Sequence, residues 1–142
     1  MRKAARRAAV GPQTTFEKAC AVFPWHAFAC KCCGKVVVVR AIILLYYYLY
    51  QRLPQPPEVH SGFRCEEHNA STPNASKTSF HMFGMAIDCH APGITVQEFY
   101  LVAEEALEEL GLAGGIGIYW KWNNQGLHID VRVIGRRWDD AD

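Results

Sequence analysis

Two short stretches carry side chains able to do chemistry: Ser79-Phe80-His81-Met82-Phe83-Gly84-Met85-Ala86-Ile87-Asp88 and Leu127-His128-Ile129-Asp130. Together they offer two histidines and a carboxylate that can close around one zinc ion. Three protein ligands leave a fourth position for water or substrate, which is the pattern of a catalytic zinc site rather than a structural one. The chemistry implied is metal-assisted hydrolysis.

The spacing constrains the elements that must position these groups. From Leu127 to Val133 the chain alternates strictly: Leu127, Ile129, Val131 and Val133 are apolar, and His128, Asp130 and Arg132 are polar. A period of two marks a half-buried strand, so His128 and Asp130 share one face above an apolar layer. His81 and Asp88 lie seven positions apart, and one straight strand would set them on opposite faces. Gly84, between them, accepts backbone conformations that other residues avoid. The reading is therefore a turn carrying His81 and a strand over residues 85–89 carrying Asp88, with the turn folding the imidazole back to meet the carboxylate.

Upstream stands Ser61-Gly62-Phe63-Arg64. This element, followed by Ser79-x-His81-x-x-Gly84-x-Ala86-x-Asp88 and then His128-x-Asp130, resembles the zinc D-Ala-D-Ala carboxypeptidase family, a group that includes phage endolysin peptidases and vancomycin-resistance dipeptidases and shares its fold with the hedgehog signalling domain. The resemblance runs from about Val37 to Trp138 and is nearest to the short, single-domain phage and bacterial branch. It implies that His81, Asp88 and His128 are the zinc ligands, that Arg64 holds a substrate carboxylate and that Ser79 adds a hydrogen bond near the site. The residue types suit those roles. Zinc lowers the pKa of bound water to about 7, and the arginine fork matches a carboxylate in two bonds.

The chain departs from this pattern at one position. Many members of that family carry a Glu or Asp three residues before the distal histidine as general base, and here Gln125 stands there, a side chain that takes no proton. Asp130, on the same strand face as His128, is the candidate base, or else the partner that orients a ligand. Of the other histidines, His60 is expected at the surface or a strand end, His68 in a helical start or turn at Glu66-Glu67-His68-Asn69, and His90 at the exit of the Asp88 strand. Asn69-Ala70-Ser71 and Asn74-Ala75-Ser76 match the glycosylation sequon, a weak signal without a secretory segment.

Whole-chain properties agree with one enzyme domain. A chain of 142 residues, half of them apolar, can bury a core. Its net charge of +1 gives no electrostatic case for nucleic acid. The basic N-terminus (Arg2, Lys3, Arg6, Arg7) and the acidic C-terminus (Asp139, Asp140, Asp142) read as solvated tails. Residues 36–50 form the most apolar run, but it is shorter than the ~18 to 20 residues a membrane span needs and Arg40 interrupts it. A buried core helix ended by Leu53-Pro54-Gln55-Pro56-Pro57 is expected instead, with no integral membrane segment.

Six cysteines complete the chemistry-bearing residues. Cys20, Cys30, Cys32 and Cys33 cluster in the N-terminal quarter, while Cys65 and Cys89 lie near the proposed site. Reduced thiols are expected, since no signal peptide is visible. A second, structural ion at Cys20, Cys30, Cys32 and Cys33 is the sharper alternative.

A second helix is expected over residues 92–111, opened by the capping box Thr95-x-x-Glu98 and closed by Gly111. Phe99, Leu101, Val102, Ala106 and Leu110 supply its apolar stripe, and Glu104, Glu105, Glu108 and Glu109 its solvated face. Gly114-Gly115-Ile116-Gly117-Ile118-Tyr119 reads as a strand whose glycines permit close packing, joined to the His128 strand by a hairpin-like connection.

The architecture expected is α+β: a small antiparallel sheet with helices on one side and the zinc cleft on the sheet face. Residues 1–36 read as an N-terminal arm with the cysteine cluster, 37–138 as the zinc peptidase domain and 139–142 as an acidic tail. The function expected is hydrolysis of peptidoglycan stem peptides, by carboxypeptidase or endopeptidase action. The chain would be cytoplasmic as synthesised and act on the wall once released or exported, as in phage lysis. The rival reading is a non-catalytic zinc-binding domain of the same fold that binds wall peptides.

Overall fold

The computed structural model describes residues 14–141. The basic residues Arg2, Lys3, Arg6 and Arg7, and Asp142, lie outside them. Five α-helices and five strands follow in chain order: α1 (Thr15–Val22), α2 (Trp25–Phe28), α3 (Arg40–Arg52), β1 (Glu58–Ser61), α4 (Glu66–Ser71), β2 (Ala86–His90), α5 (Val96–Glu109), β3 (Gly115–Tyr119), β4 (Gly126–Asp130) and β5 (Arg136–Asp139), with a 3-10 turn at Phe80–Phe83 before β2.

The two long helices form as their sequences dictate. In α3, Ile42, Leu45, Tyr46 and Leu49 recur at helical spacing and are buried. The helix ends at Leu53, ahead of Pro54, which cannot continue it. In α5 the capping box is complete: the Thr95 side chain accepts from Glu98 N, and the Glu98 carboxylate accepts from Thr95 N at 2.9 Å. Two details of α5 differ from expectation. Its buried stripe is Val96, Phe99, Ala103, Ala106 and Leu107, and Leu101 is exposed. Glu104 is not merely solvated, because the Arg137 fork donates to both of its carboxylate oxygens at 2.8 Å and tethers β5 to the helix.

The sheet order is β1-β2-β4-β3-β5. Its first four strands are antiparallel, as expected, but β5 lies parallel to β3, so the sheet is mixed. Residues 136–138 fall at the end of the expected domain and Asp139 at the start of the expected tail. They form an edge strand, where one exposed face and free hydrogen-bonding groups suit charged side chains. Two residues of the expected acidic tail make defined contacts: Asp139 belongs to β5, and the Asp140 carboxylate accepts the backbone N–H of Trp120 at 2.7 Å.

One core joins the layers. It includes Ile42, Leu45 and Leu49 of α3, Phe99 and Leu107 of α5, and Ile87, Ile116, Leu127 and Ile129 from the sheet. Ala19, Phe23, Phe28 and Cys30, from the stretch read as an N-terminal arm, are buried in the same core. Strand β4 is buried on both faces, where alternation had suggested one: Leu127 and Ile129 face the helices, while His128 and Asp130 are covered by the polar cleft. Among the described residues no helix is long and apolar enough to cross a membrane.

Candidate metal centre

Register builds the site. Asp88 of β2 stands directly opposite His128 of the neighbouring strand β4, and Ala86 opposite Asp130. On the other side of β4, Gly117 is opposite His128 and Gly115 opposite Asp130. These glycines lack side chains where the site needs room: a Cβ on Gly117 would strike the Trp138 ring, and one on Gly115 would strike the Asp130 carboxylate and the Arg132 guanidinium. His81 comes from the 3-10 turn. Gly84 ends that turn at φ 67°, and a Cβ there would collide with the Val37 carbonyl. The turn then passes directly into β2, which carries the imidazole over Asp88 as the sequence implied.

The nitrogen and oxygen atoms of His81, Asp88 and His128 that could ligate a metal lie within 4.8 Å of one another. Asp88 Oδ1 is 3.1 Å from His81 Nε2 and 3.0 Å from His128 Nδ1. The far nitrogen of each ring is held by an acceptor. His81 Nδ1 is 2.6 Å from the Gly62 carbonyl oxygen, and His128 Nε2 is 2.7 Å from Asp130 Oδ2. A carbonyl and a carboxylate can only accept, so those two nitrogens carry the protons. In the neutral rings His81 Nε2 and His128 Nδ1 then present lone pairs, and both point at a carboxylate oxygen. Three electron pairs converge on one spot, an arrangement that requires a cation or an added proton at its centre. The donor set, two imidazoles and one carboxylate each oriented from behind, fits a divalent transition metal.

The electrostatics agree. Burial favours the neutral form of Asp88, but both histidines outweigh that effect and hold its carboxyl well below the usual range. Burial likewise lowers His128, yet the hydrogen bonds to Asp130 and Asp88 prevail and raise it to about 9. In the metal-free protein a proton on Nδ1 therefore occupies the place that a metal would take.

Asp130 is fully buried, and both of its oxygens are engaged. Arg132 donates through Nε to Oδ1 at 2.8 Å and through Nη2 to Oδ2 at 2.6 Å, and its backbone N–H donates to Oδ1 at 3.1 Å. Asp130 thus stands behind His128, on the ring edge opposite Asp88. It meets the site through His128 Nε2. A general base must reach the water beside the metal ligands, and the His128 ring lies between. Gln125 offers no base either: it is exposed, and its amide donates to the Trp120 carbonyl at 3.2 Å.

Arg64 and Ser79 both line the cleft. The Arg64 Nη2 donates to Ser79 Oγ at 3.1 Å, Ser79 Oγ also accepts from His81 N at 3.2 Å, and Arg64 N donates to the His81 carbonyl at 3.1 Å. Ser79 thereby caps the 3-10 turn and fixes the guanidinium beside it. Arg64 Nε is buried without a partner among the described residues. The cleft has a volume of about 850 Å³ and is walled by Tyr119, Trp122 and Trp138 with Arg132 and Arg136.

Other sequence-stretch candidates fall outside this centre. His60 is exposed on β1, with its Nε2 2.6 Å from His90 Nδ1 at the end of β2, and its ring lies near Trp122. His68 is in α4 as expected. Two contributors were missed. Arg132 lies past the end of β4, since the alternation expected to run to Val133 stops at Asp130 and Val133 is exposed; its guanidinium reaches the site by folding back onto the Asp130 carboxylate. Trp138, whose ring lies 5.2 Å from that of His128, comes from the parallel edge strand and had no local signal.

Comparison with known proteins fits this geometry. Residues 39–138 match the model of a peptidase M15 family described as peptidoglycan L,D-endopeptidase MepK. The chain belongs to that family. The matched span runs from the start of α3 into β5 and contains His81, Asp88, His128, Asp130, Arg64 and Ser79, while α1, α2 and the cysteine-rich turn precede it. No curated protein matches the chain. The peptidase M15 family is one of metal-dependent peptidases acting on peptidoglycan, and the α+β fold agrees with it.

Proposed function

We propose that this protein is a zinc-dependent endopeptidase that cuts the peptides of peptidoglycan, acting at the cell wall. The observation that carries the proposal is the convergence of the His81 Nε2, Asp88 and His128 Nδ1 electron pairs at the floor of the cleft, with both rings locked from behind. Zinc bound there would supply an acidified water and polarise the scissile carbonyl. The chain's own residues do the rest. His81 and His128 are held in the tautomers that ligate. Asp130, clamped by Arg132, keeps a negative charge behind His128 and strengthens it as a donor. Arg64 presents a guanidinium steadied by Ser79 to a carboxylate of the substrate, a group that peptidoglycan stem peptides carry. Tyr119, Trp122 and Trp138 offer flat apolar walls to a peptide chain.

Endopeptidase action is favoured over carboxypeptidase action by the description of the matching family. One observation keeps the binding-domain reading as a second possibility: no carboxylate stands at position 125, and Asp130 is sealed behind His128. Digestion of purified peptidoglycan followed by mass spectrometry of the muropeptides tests all three. Endopeptidase action shortens stem peptides or resolves cross-links internally, and a chelator stops it. Loss of terminal alanine alone would make the enzyme a carboxypeptidase. Retention of muropeptides without any cleavage by the zinc-loaded protein would favour binding.

A further inference from the structure

The N-terminal cysteines do not gather as their sequence positions suggested. Cys20 lies on α1, apart from the rest, and the group that comes together is Cys30, Cys33 and Cys65, whose sulfur atoms lie within 4.8 Å of one another. Cys30 and Cys33 have the Cys-x-x-Cys spacing, which the adjacent Cys32 obscures in the sequence. They sit on a tight turn: Gly34 N donates to the Cys30 carbonyl at 2.8 Å, Cys30 N to the Lys35 carbonyl at 2.8 Å, and Gly34 takes φ 77°. Cys65 arrives from the other side as the residue after Arg64 and the N-cap of α4.

Backbone N–H groups are aimed at the sulfurs. Cys65 N donates to Cys30 Sγ at 3.4 Å, the amides of Cys32 and Cys33 also face Cys30 Sγ, and His68 N donates to Cys65 Sγ at 3.4 Å. Such donors stabilise thiolates rather than thiols. Cys30 is buried at the edge of the core and Cys65 packs against it, while Cys33 is exposed, and three sulfurs cannot all be paired among themselves.

We propose that Cys30, Cys33 and Cys65 bind a second, structural zinc ion that is separate from the His81 centre. Soft thiolate donors on a Cys-x-x-Cys turn select zinc over the harder divalent ions. A structural site is closed by a fourth protein ligand, and Cys32, whose sulfur faces Cys65 and lies 3.8 Å from Glu67 Oε1, is the residue placed to supply it. The ion ties the 30–35 turn to the loop that serves the candidate active site. Along the same seam Phe63 N donates to the Phe28 carbonyl at 2.8 Å, Lys31 Nζ donates to the His60 carbonyl at 2.8 Å, and Gly62 is so tightly covered that a Cβ would strike Phe28. Gly62 is the residue whose carbonyl orients His81, and Arg64 is next to Cys65. A thiolate-bound ion here therefore sets the position of both. The assignment does not depend on the peptidase reading.

Cobalt substitution of the full chain tests it under reducing conditions. Cobalt bound by three thiolates gives intense sulfur-to-metal charge-transfer absorption and visible ligand-field bands, which a site of two histidines and an aspartate does not. The expected result is that these bands appear in the wild type and in His128→Ala, vanish in Cys33→Ser and Cys65→Ser, and persist in Cys20→Ser. Zinc content should run in parallel, at about two ions per chain in the wild type and about one in either class of variant. If the serine variants fail to fold, alkylation of the wild type decides the matter: Cys30, Cys33 and Cys65 should be protected until a chelator is added, while Cys20 is not. Thiolate bands absent from the folded wild type, equal alkylation with and without chelator, or a disulfide among these three cysteines would each overturn the assignment.

Discussion

His128 is gripped at both ring nitrogens, by Asp130 at 2.7 Å and by Asp88 at 3.0 Å, and this double hold separates two roles for Asp130. An orienting carboxylate fixes the tautomer and basicity of a ligand, so Asp130→Asn should weaken zinc affinity by roughly 10- to 100-fold, with lost turnover restored by excess metal. A general base would give the opposite pattern, unchanged affinity with turnover lost at saturating zinc. Competition with a fluorescent chelator, alongside turnover at several zinc concentrations, distinguishes them. Arg64 makes a second prediction at this scale. Its planar fork can bind a carboxylate in two bonds while resting on Ser79, whereas a lysine keeps the charge but not the fork. Arg64→Lys should cost about 1.5 kcal/mol of substrate binding, about tenfold, carried mainly by KM. An unchanged KM for a stem peptide ending in a free carboxylate would remove Arg64 from the substrate site.

At the scale of elements, the centre depends on a turn that lets residue 81 meet residue 88. Gly84 supplies it with a left-handed backbone, and the Val37 carbonyl lies where any side chain would begin. Gly84→Ala therefore meets both the left-handed penalty of about 1–2 kcal/mol and a backbone clash, and should lower stability by more than about 2 kcal/mol. Denaturant melts of the metal-free protein measure this without the metal's own contribution. A cost below about 1 kcal/mol would mean that the turn relaxes freely and does not define the site. The same element explains what could be read from sequence. The period-two run from Leu127 placed His128 and Asp130 on one face, and the His-Gly-Asp spacing demanded a turn, because both signals are local. Trp138 and the thiolate group were not legible. Trp138 reaches His128 only because β5 joins the sheet beside β3, and Cys65 joins Cys30 and Cys33 only because α2 packs against β1. No local periodicity encodes a pairing between elements so far apart in the chain.

At the scale of the whole molecule, the buried centre couples stability to pH and to metal. In the metal-free protein His128 is raised to about 9, against about 6.5 in the unfolded chain. A raised value means that the folded state binds this proton more tightly, so its stabilisation is complete below about pH 6.5 and declines as the pH rises toward 9. Metal reverses the sign. To bind, it must displace the proton from Nδ1, so apparent affinity increases with pH over the same window. The metal-free protein should thus lose thermal stability between about pH 6.5 and 9 while the zinc-loaded protein holds or gains it, and the two melting curves should diverge. Asp130 contributes in the other direction at acid pH. Arg132 and His128 outweigh its burial and depress its pKa, so its share of stability is present above about pH 4 and lost only in strong acid. Scanning calorimetry with and without chelator from pH 5 to 9 separates the two contributions, because Asp130 stays ionised across that range while the His128 proton changes. Parallel melting curves for the two forms would mean that the metal does not replace that proton, and His128 Nδ1 would no longer be a candidate ligand.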